Sequence, residues 1–422
     1  MVVPFHVTEM LKRVRARFFE QGSETRMLPK DDDFTTLRPV RTASGASINR
    51  YWSRLIQGPA SEADKATIAD ADTVSHANHY SANIENMIGT VKIPVGIAGP
   101  LRINGLYADG DYHIPMATSE AALVASYARG AYVATKAGGI STAVLYEGVL
   151  RTPAFTFDTL LEAGMFIDWV VANTDLLKQA AEATTNHGKL TSLEPVIDNN
   201  VAFLLCRYTT GDAAGQNMVT IATNALCETI AAQCPVPIKR WYVEGNFSGD
   251  KKASSLGTIT GRGRKVSAAV TLPDALIEKA LHTTTDDMLD YARVANLGAL
   301  LSGQLGAQAH YANGLAAFYI ATGQDAACVA ESAVGFTRME RREGGLFCSV
   351  TMPNILVGSV GGGPSLPSQT AGLNILGLKG AGHGAALAEV TAALCLCGEI
   401  SIVAAMAAGH FTRAHDSLAR GR

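Results

Sequence analysis

Charge is scarce in this sequence. Only 17% of the 422 residues are Asp, Glu, Lys or Arg, and the formal net charge is −3. No basic stripe forms, so the electrostatic footprint of a nucleic-acid binder is missing. Cysteine is sparse and scattered, with seven residues, no C-x-x-C pair and no even framework, which excludes a disulfide-stapled or zinc-ribbon scaffold. No signal-peptide pattern opens the chain, and reduced thiols in a cytoplasmic protein are the expectation. The longest apolar run, "EISIVAAMAAGHF" (399–411), reads as too short and too broken to span a bilayer, so no membrane partner is expected. The commonest catalytic signatures are absent too: no GxGxxG opening a βαβ unit, no Walker A loop, no GxSxG and no HExxH. His76 and His79 have HxxH spacing but no acid or thiolate pattern beside them, and no metal is expected.

What is present describes a globular chain. Hydrophobic residues make up 47%, glycine is abundant at 41 residues, and the length suits two or three domains. Residues 1–90 read as an N-terminal helical segment, with "FHVTEMLKRVRARFFE" as an amphipathic helix. From "ENMIGTVKIPVGIAGPLRING" short β-branched runs alternate with glycine and proline, the mark of strands and turns. "ATSEAALVASYARGAYVATKAGG" reads as a helix capped by Thr118 or Ser119 and ended by Gly138-Gly139. Residues 153–242 alternate strands with helices and form a small inserted α/β unit. "DTLLEAGMFIDWVVANTDLLKQAAEATT" is read there as one helix. Residues 91–152 and 243–422 make the larger domain, and the whole is an α+β fold.

Four places carry candidate chemistry. Glu120 follows Thr118-Ser119, and is either a first-turn acid facing the helix dipole or a functional carboxylate. Lys251 and Lys252 sit side by side in the glycine-rich turn "GDKKAS" (249–254). Asp325, in "GQDAA", is a cap for the next helix or a site acid. His415 lies in the last eight residues. Two glycine-rich stretches, "TGDAAGQNM" (210–218) and "VGSVGGG" (357–363), suit close approach of a phosphate or cofactor to the backbone.

These stretches occur together, in order, with "ENMIG" (85–89), "PMATSEAALVAS" (115–126) and "AAGHFTRAH" (407–415). In that combination the chain resembles the hydroxymethylglutaryl-CoA (HMG-CoA) reductases, and their eukaryotic and archaeal class in particular, from about residue 50 onward. The resemblance implies a catalytic quartet of Glu120, Lys251, Asp325 and His415. It places Arg151, Lys252 and Asn313 on the hydroxymethylglutaryl moiety, Ser126 and Arg129 toward CoA, and His310 at the substrate or against Asp325. NADPH is the implied cofactor, held by the 153–242 unit, which the family folds as a ferredoxin-like domain set into a large domain around a central helix. Asp212, Gly215, Asn217, Met218, Gly361 and Gly362 are its implied contacts, with His187 and Lys189 as partners for the 2′-phosphate. A homodimer, or a tetramer built from it, with the active site at the subunit interface is also implied, and His415 would ride on a C-terminal flap. The motif reads DAAGQNM where DAMGMNM is commoner, and Glu244 stands where some relatives have a small hydroxyl residue.

The implied chemistry suits the residue types. Thioester reduction to an alcohol builds negative charge on the carbonyl oxygen, which a fixed ammonium at Lys251 stabilises. Glu120, kept neutral by burial, protonates the alcohol oxygen. Asp325 sits between Lys251 and Glu120, and His415 protonates the departing thiolate. NADPH-dependent reduction of HMG-CoA to mevalonate is the expected function.

Overall fold

Strand Ile140–Arg151 joins two sheet regions. The computed structural model describes residues 5–18 and 40–409, an α+β arrangement whose described strands are β1 (Val95–Gly105), β2 (Asp109–Ala117), β3 (Ile140–Arg151), β4 (Ala154–Thr156), β5 (Lys189–Asp198), β6 (Val201–Thr209), β7 (Arg240–Tyr242), β8 (Gly263–Pro273), β9 (Gly306–Ala307), β10 (Gly335–Arg342) and β11 (Gly345–Ile355). They run β7-β4-β6-β3-β8-β11-β10-β9, with β1 and β2 attached at β3 and β5 at β6. The first part of β3 pairs with β8 and β1; its last three residues, Val149 to Arg151, pair with β6. The backbone enters the second region at Thr152 and returns past it, where the Gly245 amide donates to the Thr152 carbonyl at 2.7 Å.

Residues 154–242 follow the order strand, helices, two strands, helix, strand, with β7-β4-β6-β5 all antiparallel. The single helix expected after β4 is two, Leu160–Ala172 and Thr174–Glu182. The break falls at Asn173, whose side-chain amide donates to the Trp169 carbonyl and so competes with the helical ladder. Strand β5 escaped the sequence reading because it is an edge strand with Pro195 and mostly exposed side chains, the composition that protects an edge.

The core centres on helix Gly384–Ala407, whose 24 residues are buried on nearly every side. By length and composition alone it is long and apolar enough to cross a membrane, which corrects the reading of 399–411 as too short: residues 399–407 belong to a longer helix, buried inside the protein. Being apolar all round is what a core helix requires. Two carboxylates inside it, Glu389 and Glu399, are fully satisfied. Glu389 accepts from the amides of Tyr107, Ala108 and Val144. Glu399 accepts from the amides of Ala309 and His310 and from the Thr337 hydroxyl. Helix Leu123–Lys136 crosses the central helix at Gly130, where a Cβ would overlap the Cys397 carbonyl. All seven cysteines are free; six are buried and Cys234 is half-buried.

Candidate active site

The "GDKKAS" turn leaves β7 and precedes helix Ser255–Thr260. Gly249 and Lys251 both take left-handed backbone, φ 71° and 57°. The carboxylate of Asp250 is held by Arg151 at 3.1 Å and Arg262 at 3.0 Å. Lys251 Nζ reaches Asp325 Oδ2 at 2.9 Å. The other carboxylate oxygen of Asp325 accepts from the Ala327 amide at 3.0 Å, so this residue is both a helix cap and a site acid. Lys252 is exposed and its ammonium donates to the Asp250 carbonyl.

Hydrogen bonding to Asp325 raises the Lys251 pKa above its ordinary value, and partial burial only partly offsets that. A raised lysine pKa keeps the ammonium charged further into alkaline solution. In an Asp325→Asn protein the Lys251 amine is therefore expected to lose its proton at lower pH than in the parent. A lysine titration from pH 7 to 11, followed by NMR of the labelled side chain, with an unmoved midpoint contradicts the coupling.

Glu120 stands elsewhere. The helix after β2 begins at Leu123, with Ala122 as N-cap and no side-chain cap. Neither Thr118 nor Ser119 caps it, and Glu120 is not a first-turn acid. The Glu120 amide instead donates to Thr118 Oγ1, an interaction that holds the preceding loop. Its exposed carboxylate accepts from Asn313 Nδ2 at 2.8 Å. The pair lines an open cleft of ≈ 390 Å³ with Ile93, Ala117, Ala316 and Ile320. Asn313 lies in the first turn of helix Tyr311–Thr322 and Asp325 follows its other end, with roughly 14 Å of axial rise between Asn313 and the last helical residue at 1.5 Å per residue. Within one chain, then, Asp325 contacts Lys251 and not Glu120: the expected triad separates into two pairs at opposite ends of one helix.

The glycine-rich stretches meet. Ala213 bridges to Val360, and the Ser359 amide donates to the Asp212 carbonyl. Helix Gln216–Gln233 starts at Gly215, φ 76°, without a side-chain cap or a first-turn acid. Such a start leaves amide donors for an anion. Asn217 is exposed there, and Met218 Sδ accepts from Thr185 Oγ1, which brings the 184–190 loop to the same helix end. His187 is exposed, while Lys189 is paired with Glu182 at 3.0 Å and is not a free cation. A Cβ at Gly361, φ 128°, would make only ordinary contact with Pro364 at 3.9 Å, while one at Gly362 would meet Asn83 at 2.9 Å. Asp212 is engaged within the fold. Its carboxylate accepts from the Gly382 and Gly384 amides at 2.7 and 2.9 Å and so caps the central helix. Burial pushes this carboxyl up, but the two amides and Arg264 outweigh it and the net direction is down.

The other residues divide. Arg151 is buried, ion-paired with Glu244 and Asp250, and its Nε finds no partner among the described residues. Ser126 and Arg129 both bond to Ser401 of the central helix, and burial lowers the Arg129 pKa. His310 stacks on Tyr127 and lies 3.4 Å from Glu399; it does not reach Asp325, because it precedes the helix whose far end Asp325 follows. His410 and His415 lie outside the described residues. Sequence reading missed Arg262 and Glu331, which pair at 2.7 Å behind Lys251. No motif marks them; the only signal is a glutamate six residues after Asp325.

An ammonium fixed against a carboxylate, in a turn linked through Arg262 and Gln216 to an uncapped helix start, is an arrangement able to stabilise negative charge beside an anionic ligand. Comparison with known proteins narrows this. The family model for hydroxymethylglutaryl-coenzyme A reductase matches residues 53–420, and the chain belongs to that family. It is 42% identical to the 3-hydroxy-3-methylglutaryl-coenzyme A reductase of Halobacterium salinarum over 99% of this chain and 100% of that protein. To the reductase of Methanothermobacter thermautotrophicus it is 40% identical, over 82% of this chain and 90% of that one. Among solved structures, the class II reductase of Streptococcus pneumoniae bound to NADPH in open conformations shares the fold, with a TM-score of 0.62 at 16% identity over 86% of this chain and 96% of that one.

Proposed function

We propose that this protein reduces HMG-CoA to mevalonate and CoA with NADPH. The Lys251–Asp325 ion pair beside the uncapped start of helix Gln216–Gln233 carries the reading. The residues present fit the cofactor: two glycine-rich stretches joined by a single backbone bridge, an amide-rich helix start and a loop with His187 at its edge. When bound, NADPH supplies hydride for each of two reductions. Residues 153–242 are its inserted domain, ferredoxin-like in kind, between 91–152 and 243–422, with 1–90 as a helical segment; the antiparallel order β7-β4-β6-β5 supports this.

Lys251 holds the carbonyl oxygen as charge develops, an interaction worth several kcal/mol in a site closed to water. The unpartnered Nε of Arg151, with Lys252 and Asn313, binds the substrate carboxylate and hydroxyl. Ser126, Arg129 and His310 line the CoA side, and His415 gives a proton to the thiolate. Glu120 protonates the alcohol oxygen, but a general acid of this kind needs burial and this chain leaves it exposed. Together with the separation of Glu120 from Lys251, that supports a homodimer in which one subunit's Glu120 faces its partner's Lys251 loop.

The test is a spectrophotometric assay of purified protein. NADPH is expected to be oxidised only when HMG-CoA is present, two equivalents per CoA released. No turnover between pH 6 and 9 sinks the proposal. A strong preference for NADH overturns the cofactor assignment and favours the degradative direction, mevalonate oxidation.

A further inference from the structure

Lys251 occupies a conformation that its own chemistry disfavours. Left-handed backbone costs a non-glycine residue about 1–2 kcal/mol, and such residues persist only where their surroundings impose them. The imposing contact is visible. The Lys251 amide donates to Glu331 Oε1 at 3.1 Å. Glu331 comes from the short helix Val329–Ser332 and is 1% exposed. The same Oε1 and its companion oxygen each accept from Arg262 Nη1 at 2.7 Å.

Arg262 is also 1% exposed, and most of its donors are engaged. Nη2 donates to Gln216 Oε1 at 2.8 Å and pairs with Asp250 Oδ1 at 3.0 Å; Nε donates to the Leu150 carbonyl. Asn354 links the pair a second time, accepting from the Arg262 amide and donating to the Glu331 carbonyl. One guanidinium thus grips the turn at two consecutive residues, through the side chain of Asp250 and, by way of Glu331, through the backbone of Lys251. Gln216, which departs from the commoner motif and is the first residue of helix Gln216–Gln233, ties this network to the glycine-rich helix start.

A buried ion pair is weak grounds for stability, since desolvation consumes most of the Coulomb gain and an apolar pair of similar volume often does as well. Stability therefore leaves the Lys251 contact unexplained. We propose that Glu331 is a positioning residue: it fixes the backbone of residue 251 so that the lysine ammonium stands at the reacting oxygen. This rests on the role proposed above for Lys251. Misplacing a catalytic group by 1 Å can cost about a hundredfold in rate, so the expected signature is a loss in kcat with substrate binding preserved.

The experiment is a double-mutant cycle on the full-length enzyme, with kcat, KM for both substrates and the alkaline limb of kcat measured for parent, Glu331→Gln, Lys251→Ala and the double variant. Glu331→Gln is expected to lower kcat roughly tenfold or more, with both KM values within about twofold of the parent and the alkaline limb moved down as the Lys251–Asp325 pair loosens. In the Lys251→Ala background the same change is expected to cost less than about twofold, because its effect runs through the lysine. An equal factor in both backgrounds identifies a merely structural residue and overturns the proposal, as does an unchanged kcat in the single variant. If Glu331→Gln does not fold, Glu331→Leu with Arg262→Met removes both buried charges together and carries the same cycle. Near-normal turnover of Lys251→Ala by itself refutes the oxyanion role, a failure separate from that of Glu331.

Discussion

Replacing Lys251 with alanine is expected to lower kcat/KM for HMG-CoA at least about a thousandfold, or ~4 kcal/mol of transition-state stabilisation, with the fold unchanged. The size follows from the charge being stabilised. A neutral oxyanion-hole donor is worth roughly a hundred- to a thousandfold, and an ammonium carries full charge into the same position. The intact fold follows from the structure, because the Lys251 side chain is 44% exposed and its ion pair is with Asp325, itself 42% exposed. An exposed pair of that kind adds little to stability, and alanine meets the same left-handed backbone cost as lysine. Lys251→Gly is the control, since glycine relieves that cost. It should be at least as stable as the parent and just as inactive. Arginine is no rescue, because its planar fork does not reproduce a point charge at the end of a flexible stem. Steady-state kinetics with thermal melts decide it; loss of activity accompanied by a matching loss of melting temperature would falsify the assignment of a purely chemical role.

Much of this site was legible before any coordinates. Ordered short blocks marked Glu120, Lys251, Asp325 and the glycine-rich stretches, and the pattern of helical and strand segments placed the chain in the α+β class. What stayed hidden depends on contacts distant in sequence. Arg262 and Glu331 lie 69 residues apart, and nothing local announces a buried pair. The resemblance implied Asp212 as a cofactor contact, but nothing local shows that its carboxylate caps a different helix 172 residues further on. Glu120 looked helical because Ala-rich sequence follows it, but the left-handed Ala122 delays the helix to Leu123. The central helix was underestimated for the opposite reason: with no polar face it has no periodicity, and its length shows only when its neighbours do. Motifs record chemistry held in short stretches, while the supports of that chemistry are recorded only in three dimensions.

Those supports include two helical glycines, and one methyl group added to either is expected to be among the most damaging changes outside the site. Alanine is the better helix former by about 1 kcal/mol, so local propensity alone forecasts that Gly130→Ala stabilises helix Leu123–Lys136. Packing forecasts the reverse. A Cβ at Gly130 would sit 2.5 Å from the Cys397 carbonyl carbon, closer still to its oxygen, and these are backbone atoms of the central helix that cannot rotate aside. On the facing helix, a Cβ at Gly398 would lie 2.5 Å from the ring of Tyr127, which is fully buried and bonded to the His310 carbonyl. Either substitution must push the two helices apart along a crossing that also carries Glu399 and the start of helix Tyr311–Thr322. Overpacking usually costs 1–3 kcal/mol. At Gly130 the clash is with backbone and at Gly398 with a fully buried ring, and we expect a net loss above about 3 kcal/mol for Gly130→Ala even after the propensity gain, enough to remove much of a typical domain's margin. Gly164→Ala is the counterpart, because in helix Leu160–Ala172 the added Cβ meets nothing within 4 Å and propensity acts alone, raising stability by roughly 0.5–1 kcal/mol. Denaturation midpoints of the three variants separate the two forces. A Gly130→Ala protein as stable as the parent would show that the central helix can yield, and that its close crossing does not define the fold.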